Sequence, residues 1–297
     1  MGDSLKLAFL TADNANSSFI LANDPDADRL AVAEKLPSGK WYQFNGDQVG
    51  AILAVFLLDK YITEETKEDN SKKLFIASNV SSQLVRKIVE TEGARYEETL
   101  TGFKYMAHKA IDLKSEGFTH VLSYEQSIGY MIGDIVPDKD GISAAAVMAQ
   151  LYAQQREEDK TVMDYLEQIF LKYGFYLQRN GSFTLSDVSK VTAFFDSLRN
   201  PYPSEFGKFK IKSVRDQTLG FDSGQEDKKT LLPATPDHQM LTFIFENECS
   251  LTLRISGTEC QLKYYSESRG TTREEAQKVL DELFEEGLQP HLFQPHN

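Results

Sequence analysis

Strand-like and helix-like segments alternate along the middle of this 297-residue chain. The runs LFIASNV, ARYEETLTG and THVLSYE predict strands, and SSQLVRKIVETEG and FKYMAHKAIDLKSEG predict helices closed by Gly93 and Gly117. Such alternation is typical of a parallel sheet, because parallel neighbours need a long crossover connection. We therefore expect an α/β layer here, completed by the loop QSIGYMIGDIVPDKDG and two further helices.

The segments on both sides of this layer have a different pattern of predicted strands and helices. On its N-terminal side, SFILA and LAVAE predict two short strands around the acidic loop NDPDADR, and a helix begins at Gly46 with Asp47 as a possible N-cap. After Gly174, shorter strands, the hairpin LTFIFENECSLTLRIS and a last helix with the capping-box spacing of Thr272 and Glu275 predict an α+β unit.

The excess of acidic residues limits the classes of molecule that the chain can bind. Forty-five Asp and Glu against 32 Lys and Arg give a net charge of −13, which repels nucleic acid and anionic lipid at long range. We expect no nucleic-acid partner and no membrane partner, and an anionic substrate would need a local basic site. The two cysteines, Cys249 and Cys260, are too few for a disulfide framework, so we expect a cytoplasmic protein.

One loop, NDPDADR, has the character of a cation site. Asp24, Asp26 and Asp28 alternate along it, and their repulsion is severe unless a cation such as Mg²⁺ binds there. An EF-hand is excluded, because Arg29 stands where that loop requires Gly and Lys35 where it requires Glu. A solvated acidic loop without metal is the alternative.

Two further loops carry groups suited to a sugar. In YEQSIGY a carboxylate, Glu125, and a hydroxyl, Ser127, can each accept hydrogen bonds from sugar hydroxyls. The loop TGFK, with Thr101, Gly102 and Lys104, joins a predicted strand to a predicted helix. The alternative for both is structural: a polar turn in one case and a helix N-terminus in the other.

The loop RISGTE supplies the local basic site. Its arginine offers a bidentate fork, its hydroxyls donate, and its glycine allows backbone N–H groups to approach a phosphate. The candidate phosphate ligands are Arg254, Ser256, Gly257, Thr258 and, further along, Lys263.

Together these loops resemble the α-D-phosphohexomutase family, which contains the phosphoglucomutases. The segments LANDPDADRLAVAE, ETLTGFKYM, YEQSIGYM with DKDGISAA, and RISGTE with LKYYSE carry the resemblance. They are most similar to the branch of phosphopentomutases and glucose-1,6-bisphosphate synthases. The resemblance implies a Mg²⁺-dependent phosphosugar mutase in which a phosphoserine exchanges its phosphoryl group with a sugar monophosphate, with glucose 1,6-bisphosphate as activator.

The resemblance also implies roles for individual residues. They are metal ligation by Asp24, Asp26 and Asp28; contact with the transferring group by Arg29; proton transfer and phosphosugar binding by Lys139; sugar and cleft contacts by Thr101, Gly102, Lys104, Glu125 and Ser127; and binding of the non-reacting phosphate by Arg254, Ser256, Gly257, Thr258 and Lys263.

The implied domains are parts of a four-domain protein. Residues 1–44 correspond to the metal-loop end of domain 2, 45–172 to the α/β domain 3, and 173–297 to domain 4, whose fold resembles the TATA-binding protein. No histidine here follows a serine, as one does in the family's phosphoserine loop, so we expect the phosphoryl carrier to be absent. An inactive phosphosugar-binding or regulatory remnant, or a fragment of a bisphosphate synthase, is the alternative.

Two positions depart from the family pattern. Cys260 stands where many relatives have proline, which loosens the predicted phosphate turn. Gln126 replaces the second acidic residue of the sugar loop, so specificity drawn from that position is altered.

Overall fold

The structure, a computed structural model, describes residues 5–60, 70–184, 188–255 and 261–288. The chain forms two compact units, 1–173 and 174–297. The expected α/β class followed by an α+β unit is confirmed, whereas the three-part division into family domains stays a prediction. None of the helices in the described ranges has the length and apolar character needed to cross a bilayer.

The first unit opens with a helix and a small antiparallel sheet of order β1-β2-β3. The elements are α1 (Lys6–Asn14), β1 (Phe19–Asn23), β2 (Leu30–Lys35) and β3 (Trp41–Phe44). Helix α1 was not predicted. Its inner face packs against the sheet in a cluster that includes Ala12, Ile20 and Ala33, so it covers apolar surface that the strands alone would expose.

A four-stranded sheet of order β5-β4-β6-β7 follows. Its elements are α2 (Gly46–Lys60), β4 (Lys73–Ser78), α3 (Gln83–Thr91), β5 (Arg95–Thr99), α4 (Phe103–Ser115), β6 (Thr119–Glu125), β7 (Gly129–Ile132), α5 (Gly141–Glu157) and α6 (Val162–Tyr173). β4 pairs in parallel with β5 and β6, as the alternating pattern predicts. The prediction of a plain loop after residue 125 is wrong, because residues 129–132 pair antiparallel with β6 as a hairpin strand.

The start of α2 differs from the prediction. The helix is capped by Asn45, whose Oδ1 accepts from Gln48 N at 2.8 Å while Gln48 Oε1 accepts from Asn45 N at 2.9 Å. Asp47 is not the cap. It is buried, and its carboxylate accepts hydrogen bonds from Ser82 N at 2.8 Å and Tyr124 Oη at 3.2 Å. Asp47 therefore ties α2 to the residues that follow β4 and to the end of β6.

In its described residues, the second unit is a seven-stranded antiparallel sheet with two α-helices. Its elements are β8 (Phe175–Thr184), α7 (Val188–Ser197), β9 (Glu205–Phe206), β10 (Phe209–Asp216), β11 (Phe221–Asp222), β12 (Met240–Phe245), β13 (Ser250–Ile255), β14 (Gln261–Gly270) and α8 (Arg273–Glu282), followed by a π-helix (Leu283–Leu288). The predicted hairpin is formed by β12 and β13. A core rich in buried phenylalanine, including Phe195, Phe206, Phe243 and Phe245, joins the helices to the sheet.

The second unit also contains a buried ion pair between Arg199 and Asp216. Asp216 is 0% exposed, and its Oδ2 accepts from Arg199 Nε at 2.6 Å and from Tyr202 Oη at 3.0 Å. Its Oδ1 accepts from Arg199 Nη2 at 3.3 Å and from Leu219 N at 3.1 Å. Both carboxylate oxygens are therefore satisfied away from solvent.

We expect acid to weaken the first unit through His120. This residue is 1% exposed, with Nδ1 2.8 Å from Gly133 O and Nε2 2.8 Å from Ser123 Oγ. Burial lowers the pKa of His120, although Asp134, 3.8 Å from Nδ1, opposes the effect. The unfolded histidine titrates near 6.5 and binds a proton more readily, so stability falls as pH drops below about 6.5.

Urea unfolding at pH 7.5 and pH 5 measures this effect. The loss of stability in acid is expected to be smaller in His120→Gln than in the parent chain. His108→Gln, which alters an exposed histidine that contacts the Lys104 carbonyl, should leave the loss unchanged. Equal losses in all three proteins would contradict the role of His120.

Candidate functional site

The loop between β1 and β2 gathers three carboxylates. Asp24, Asp26 and Asp28 each offer an oxygen, and these oxygens lie within 4.8 Å of one another. The turn is tight: Ala27 has a left-handed φ of 57°, and Arg29 N donates to Asp24 Oδ1 at 3.1 Å. Desolvation acts to raise the pKa of Asp24, but backbone hydrogen bonds, a hydrogen bond with Asp26 and the charge of Arg29 together lower it. This loop, residues 24–29, is called the metal loop below.

The surroundings of the Asp28 carboxylate show whether the metal loop is suited to bind a cation. Asp28 Oδ1 is buried without a hydrogen-bond partner, while Asp28 Oδ2 contacts Lys139 Nζ. A buried carboxylate oxygen without a partner is costly, and Mg²⁺ prefers oxygen ligands of this kind. The residues present therefore fit a hard divalent cation.

The loop after β6, residues 125–129, fixes the orientation of a second carboxylate. Glu125 Oε1 accepts from Gly102 N at 2.6 Å, and Ser127 Oγ donates to Glu125 Oε2 at 3.3 Å. Ile128 has a left-handed φ of 60°, which turns the chain back into β7. Glu125, Ser127 and Gly102, which the sequence predicts as sugar contacts, thus lie together. We call residues 125–129 the sugar loop.

The other predicted residues of the first unit lie on either side of Gly102 in the sequence or in the loop before α5. Thr101 is half-buried two residues before α4, and Lys104 is exposed in the first turn of that helix, with Nζ 4.9 Å from the Tyr105 ring centroid. Lys139 comes from the loop before α5, and its hydrogen bond to Asp28 raises its pKa. Lys139 therefore remains protonated at neutral pH.

Backbone hydrogen bonds join the metal loop to its surroundings. Leu30 N donates to Ile128 O at 3.0 Å, next to an isolated antiparallel bridge between Arg29 and Gly129. Gly141 N, at the start of α5, donates to Ala27 O at 3.0 Å. The metal loop and the sugar loop are therefore parts of one hydrogen-bonded structure.

Sequence reasoning missed two residues that shape this structure. Asn23 Nδ2 donates to Arg29 O at 2.6 Å. Gly141 packs so closely that a Cβ there would lie 2.3 Å from Arg29 O and 2.3 Å from Asn23 Nδ2. Asn23 lies directly before Asp24 in the acidic loop and could have been noted there. No sequence signal identifies the contact at Gly141, because it depends on tertiary packing.

In the second unit, two predicted phosphate ligands face each other. Arg254 near the end of β13 pairs in register with Lys263 near the start of β14, so their side chains project from the same face of the sheet. Both residues are partly exposed. Ser256, Gly257, Thr258 and the variant position Cys260 lie outside the described residues. The described part of this loop therefore presents two adjacent basic side chains.

Comparisons with known proteins agree with these motifs. Residues 45–173 match the family described as phosphoglucomutase/phosphomannomutase, alpha/beta/alpha domain III. The chain is 40% identical to a phosphopentomutase of Mus musculus, over 98% of this chain and 48% of the relative. It is 38% identical to a glucose 1,6-bisphosphate synthase of the same species, over 96% of this chain and 48% of that relative. The chain thus spans about half the length of these relatives.

Solved structures share the fold. The chain matches parafusin, a phosphoglucomutase from Paramecium, with a TM-score of 0.63 and 18% identity, over 93% of this chain and 45% of that one. A phosphomannomutase from Thermus thermophilus matches with a TM-score of 0.58 and 18% identity, over 95% of this chain and 47% of that one. The motifs, the matched domain and the curated relatives agree: all of them support the α-D-phosphohexomutase family, and this chain is most similar to the branch that contains phosphopentomutases and glucose 1,6-bisphosphate synthases.

Proposed function

We propose that this chain forms the cation-binding and phosphosugar-binding part of a mutase that moves a phosphoryl group between the 1-position and the 5- or 6-position of a sugar phosphate. The observation that carries the proposal is the backbone hydrogen bonding that joins the metal loop to the sugar loop. It joins the cluster of three carboxylates to the loop of an oriented carboxylate, and phosphoryl transfer depends mainly on positioning and charge neutralisation.

In this proposal the first unit holds the reacting end of the substrate. Asp24, Asp26 and Asp28 would hold Mg²⁺, which when bound neutralises negative charge on the transferring phosphoryl group. Arg29 lies in the same loop and adds a second positive charge. Lys139 offers its ammonium group as a hydrogen-bond donor to the phosphate and hydroxyl oxygens of the phosphosugar.

Glu125 is suited to recognise the sugar itself. Because Gly102 N and Ser127 Oγ hold its two oxygens, the remaining lone pairs have fixed directions. A sugar hydroxyl can donate to Glu125 and accept from a neighbouring donor. Thr101 and Lys104, at the same end of the sheet, are proposed as further contacts.

The second unit would bind the phosphate that does not react. Arg254 and Lys263 supply two adjacent positive charges in a chain whose net charge is −13. We include Ser256, Gly257 and Thr258 in this phosphate clamp on the basis of the sequence motif.

The two-cysteine composition supports a reducing compartment, the cytoplasm.

Binding of glucose 1,6-bisphosphate tests the clamp. We expect calorimetry in the presence of Mg²⁺ to detect binding by the chain. Arg254→Ala should weaken it by about tenfold to a hundredfold, since a charge-assisted hydrogen bond contributes about 1.5–3 kcal/mol.

Arg269→Ala is the matched control, because it removes the same charge from an exposed arginine of β14 that pairs with Glu248. Its affinity should equal that of the parent chain. An absence of heat from the parent chain, or equal affinities of parent and Arg254→Ala, would contradict the proposal.

Catalysis is tested separately with a coupled mutase assay. Since no serine precedes a histidine in this sequence, we expect the chain to bind phosphosugar without turnover, and to support turnover only with an added fragment that carries a family phosphoserine loop. Turnover by the chain alone would reveal an unrecognised nucleophile. Binding without turnover in both assays would favour the second candidate, a phosphosugar-binding regulator.

A further inference from the structure

Lys139 contacts a residue that the proposed function assigns to a cation. Its Nζ contacts Asp28 Oδ2, and Asp28 belongs to the three-carboxylate cluster of the metal loop. The two residues are far apart in sequence, and the segments that carry them are also joined by the hydrogen bond of Gly141 N to Ala27 O. The contact is therefore a consequence of the tertiary fold.

Charge balance explains why a lysine is stable there. Three carboxylates within 4.8 Å repel one another strongly unless positive charge lies nearby. Arg29 Nε is 4.0 Å from Asp28 Oδ1, and the side chain of Arg29 is 48% exposed, so water screens its charge. Lys139, whose side chain is 25% exposed, is the nearer and better shielded cation.

The carbon chain of Lys139 is held by its neighbours. A Cβ at Gly129 would lie 3.2 Å from Lys139 Cδ and 2.9 Å from Phe103 Cε2, so this glycine leaves the space that both side chains occupy. Lys139 Nζ lies 6.0 Å from the Phe103 ring centroid. The ammonium group can therefore change partner while its aliphatic stem stays in place.

We propose that Lys139 is an internal counterion of the metal loop and exchanges with the divalent cation at Asp28. Without the cation, the Lys139 ammonium offsets the repulsion among the carboxylates. When the cation binds Asp28, the ammonium leaves this carboxylate and becomes available to a phosphate of the sugar. The inference rests on the proposed function and adds a coupling: occupation of the metal loop prepares Lys139 for its substrate.

The affinity for Mn²⁺, measured by electron paramagnetic resonance on the full chain, gives the first test. Removing a competing cation should tighten binding, so we expect Lys139→Met to bind Mn²⁺ about tenfold more tightly than the parent chain. Lys35→Met is the matched control, because it removes the same charge from a lysine of the first unit that pairs with Asp13 at 2.8 Å. Its affinity should be unchanged.

Chemical labelling gives the second test and needs no variant. The rate at which an N-hydroxysuccinimide ester acetylates Lys139, followed by mass spectrometry, should rise several-fold when Mg²⁺ is added. Labelling of Lys35 serves as the internal reference and should not change.

The outcomes separate the two proposals. Tighter Mn²⁺ binding by Lys139→Met together with faster labelling in Mg²⁺ supports the exchange. Equal or weaker binding by Lys139→Met, or labelling that is unchanged or slower in Mg²⁺, overturns the exchange and leaves the metal loop intact. Failure of the parent chain to bind Mn²⁺ overturns the metal site of the proposed function, and the exchange with it.

Discussion

Asp216→Ala is expected to lower the free energy of unfolding of the second unit by about 3–5 kcal/mol, because it removes the buried counter-charge of a buried arginine. The Arg199 side chain is only 9% exposed and donates two hydrogen bonds to Asp216. Tyr202 Oη and Leu219 N lose an acceptor in the same change. A loss of this size exceeds what an exposed ion pair contributes.

Urea unfolding followed by fluorescence or circular dichroism measures the effect. Asp196→Ala is the matched control, because Asp196 pairs with the same arginine at 3.5 Å but has a side chain 62% exposed. It should cost at most about 1 kcal/mol. Similar losses in the two variants would mean that burial does not set the strength of this ion pair.

Gly141→Ala is expected to displace the metal loop and to weaken divalent-cation binding by at least about tenfold. The added Cβ would lie 2.3 Å from Arg29 O and 2.8 Å from Ala27 O, and these are backbone atoms that cannot rotate away. Overpacking of this kind costs about 1–3 kcal/mol of stability. Because Ala27 and Arg29 are the residues on either side of Asp28, the carboxylates move with the displaced backbone.

The measurements are Mn²⁺ affinity and thermal unfolding. Gly39→Ala is the control: a Cβ there meets nothing within 4 Å, although its φ of 81° makes the substitution mildly strained. It should cost about 1–2 kcal/mol of stability and leave the Mn²⁺ affinity unchanged. Parent-like affinity in Gly141→Ala would show that the contact at α5 does not position the carboxylates.

Elements with strong local patterns were predictable from the sequence. The strands and helices between β4 and β6 follow from alternating apolar runs closed by Gly93 and Gly117, both of which adopt positive φ. The last helix begins at the predicted capping residue, with Thr272 Oγ1 accepting from Glu275 N at 3.2 Å. The Glu275 carboxylate in turn accepts from Thr271 N at 2.8 Å, one residue before the predicted cap.

Elements that depend on distant partners were not predictable. Strand β7 is four residues long and exists because β6 offers it an edge. Asp47 lies at a position where an acidic residue would cap a helix in isolation. Its carboxylate instead accepts hydrogen bonds from a buried tyrosine and from a backbone N–H. At such positions, the local helix or strand propensity and the tertiary contacts favour different arrangements.

The same distinction applies to the candidate site. The sequence identifies its carboxylates, since residue type and spacing determine which cation a loop can hold. It does not reveal that Lys139 contacts Asp28 or that Asn23 supports the loop, because these contacts depend on the backbone conformation. The assignment of catalytic and binding roles to the site residues stays a prediction.

The backbone hydrogen bonds between the metal loop and the sugar loop limit how such a protein can diverge. Because Leu30 N and Ile128 O form their bond whatever side chains they carry, substitutions alone do not separate the two loops. An insertion or deletion in either loop shifts the other. If the proposed function holds, transplanting a sugar loop from an enzyme of different specificity should therefore succeed only when its own acidic loop is transplanted with it, and sugar preference and cation affinity would be inherited together.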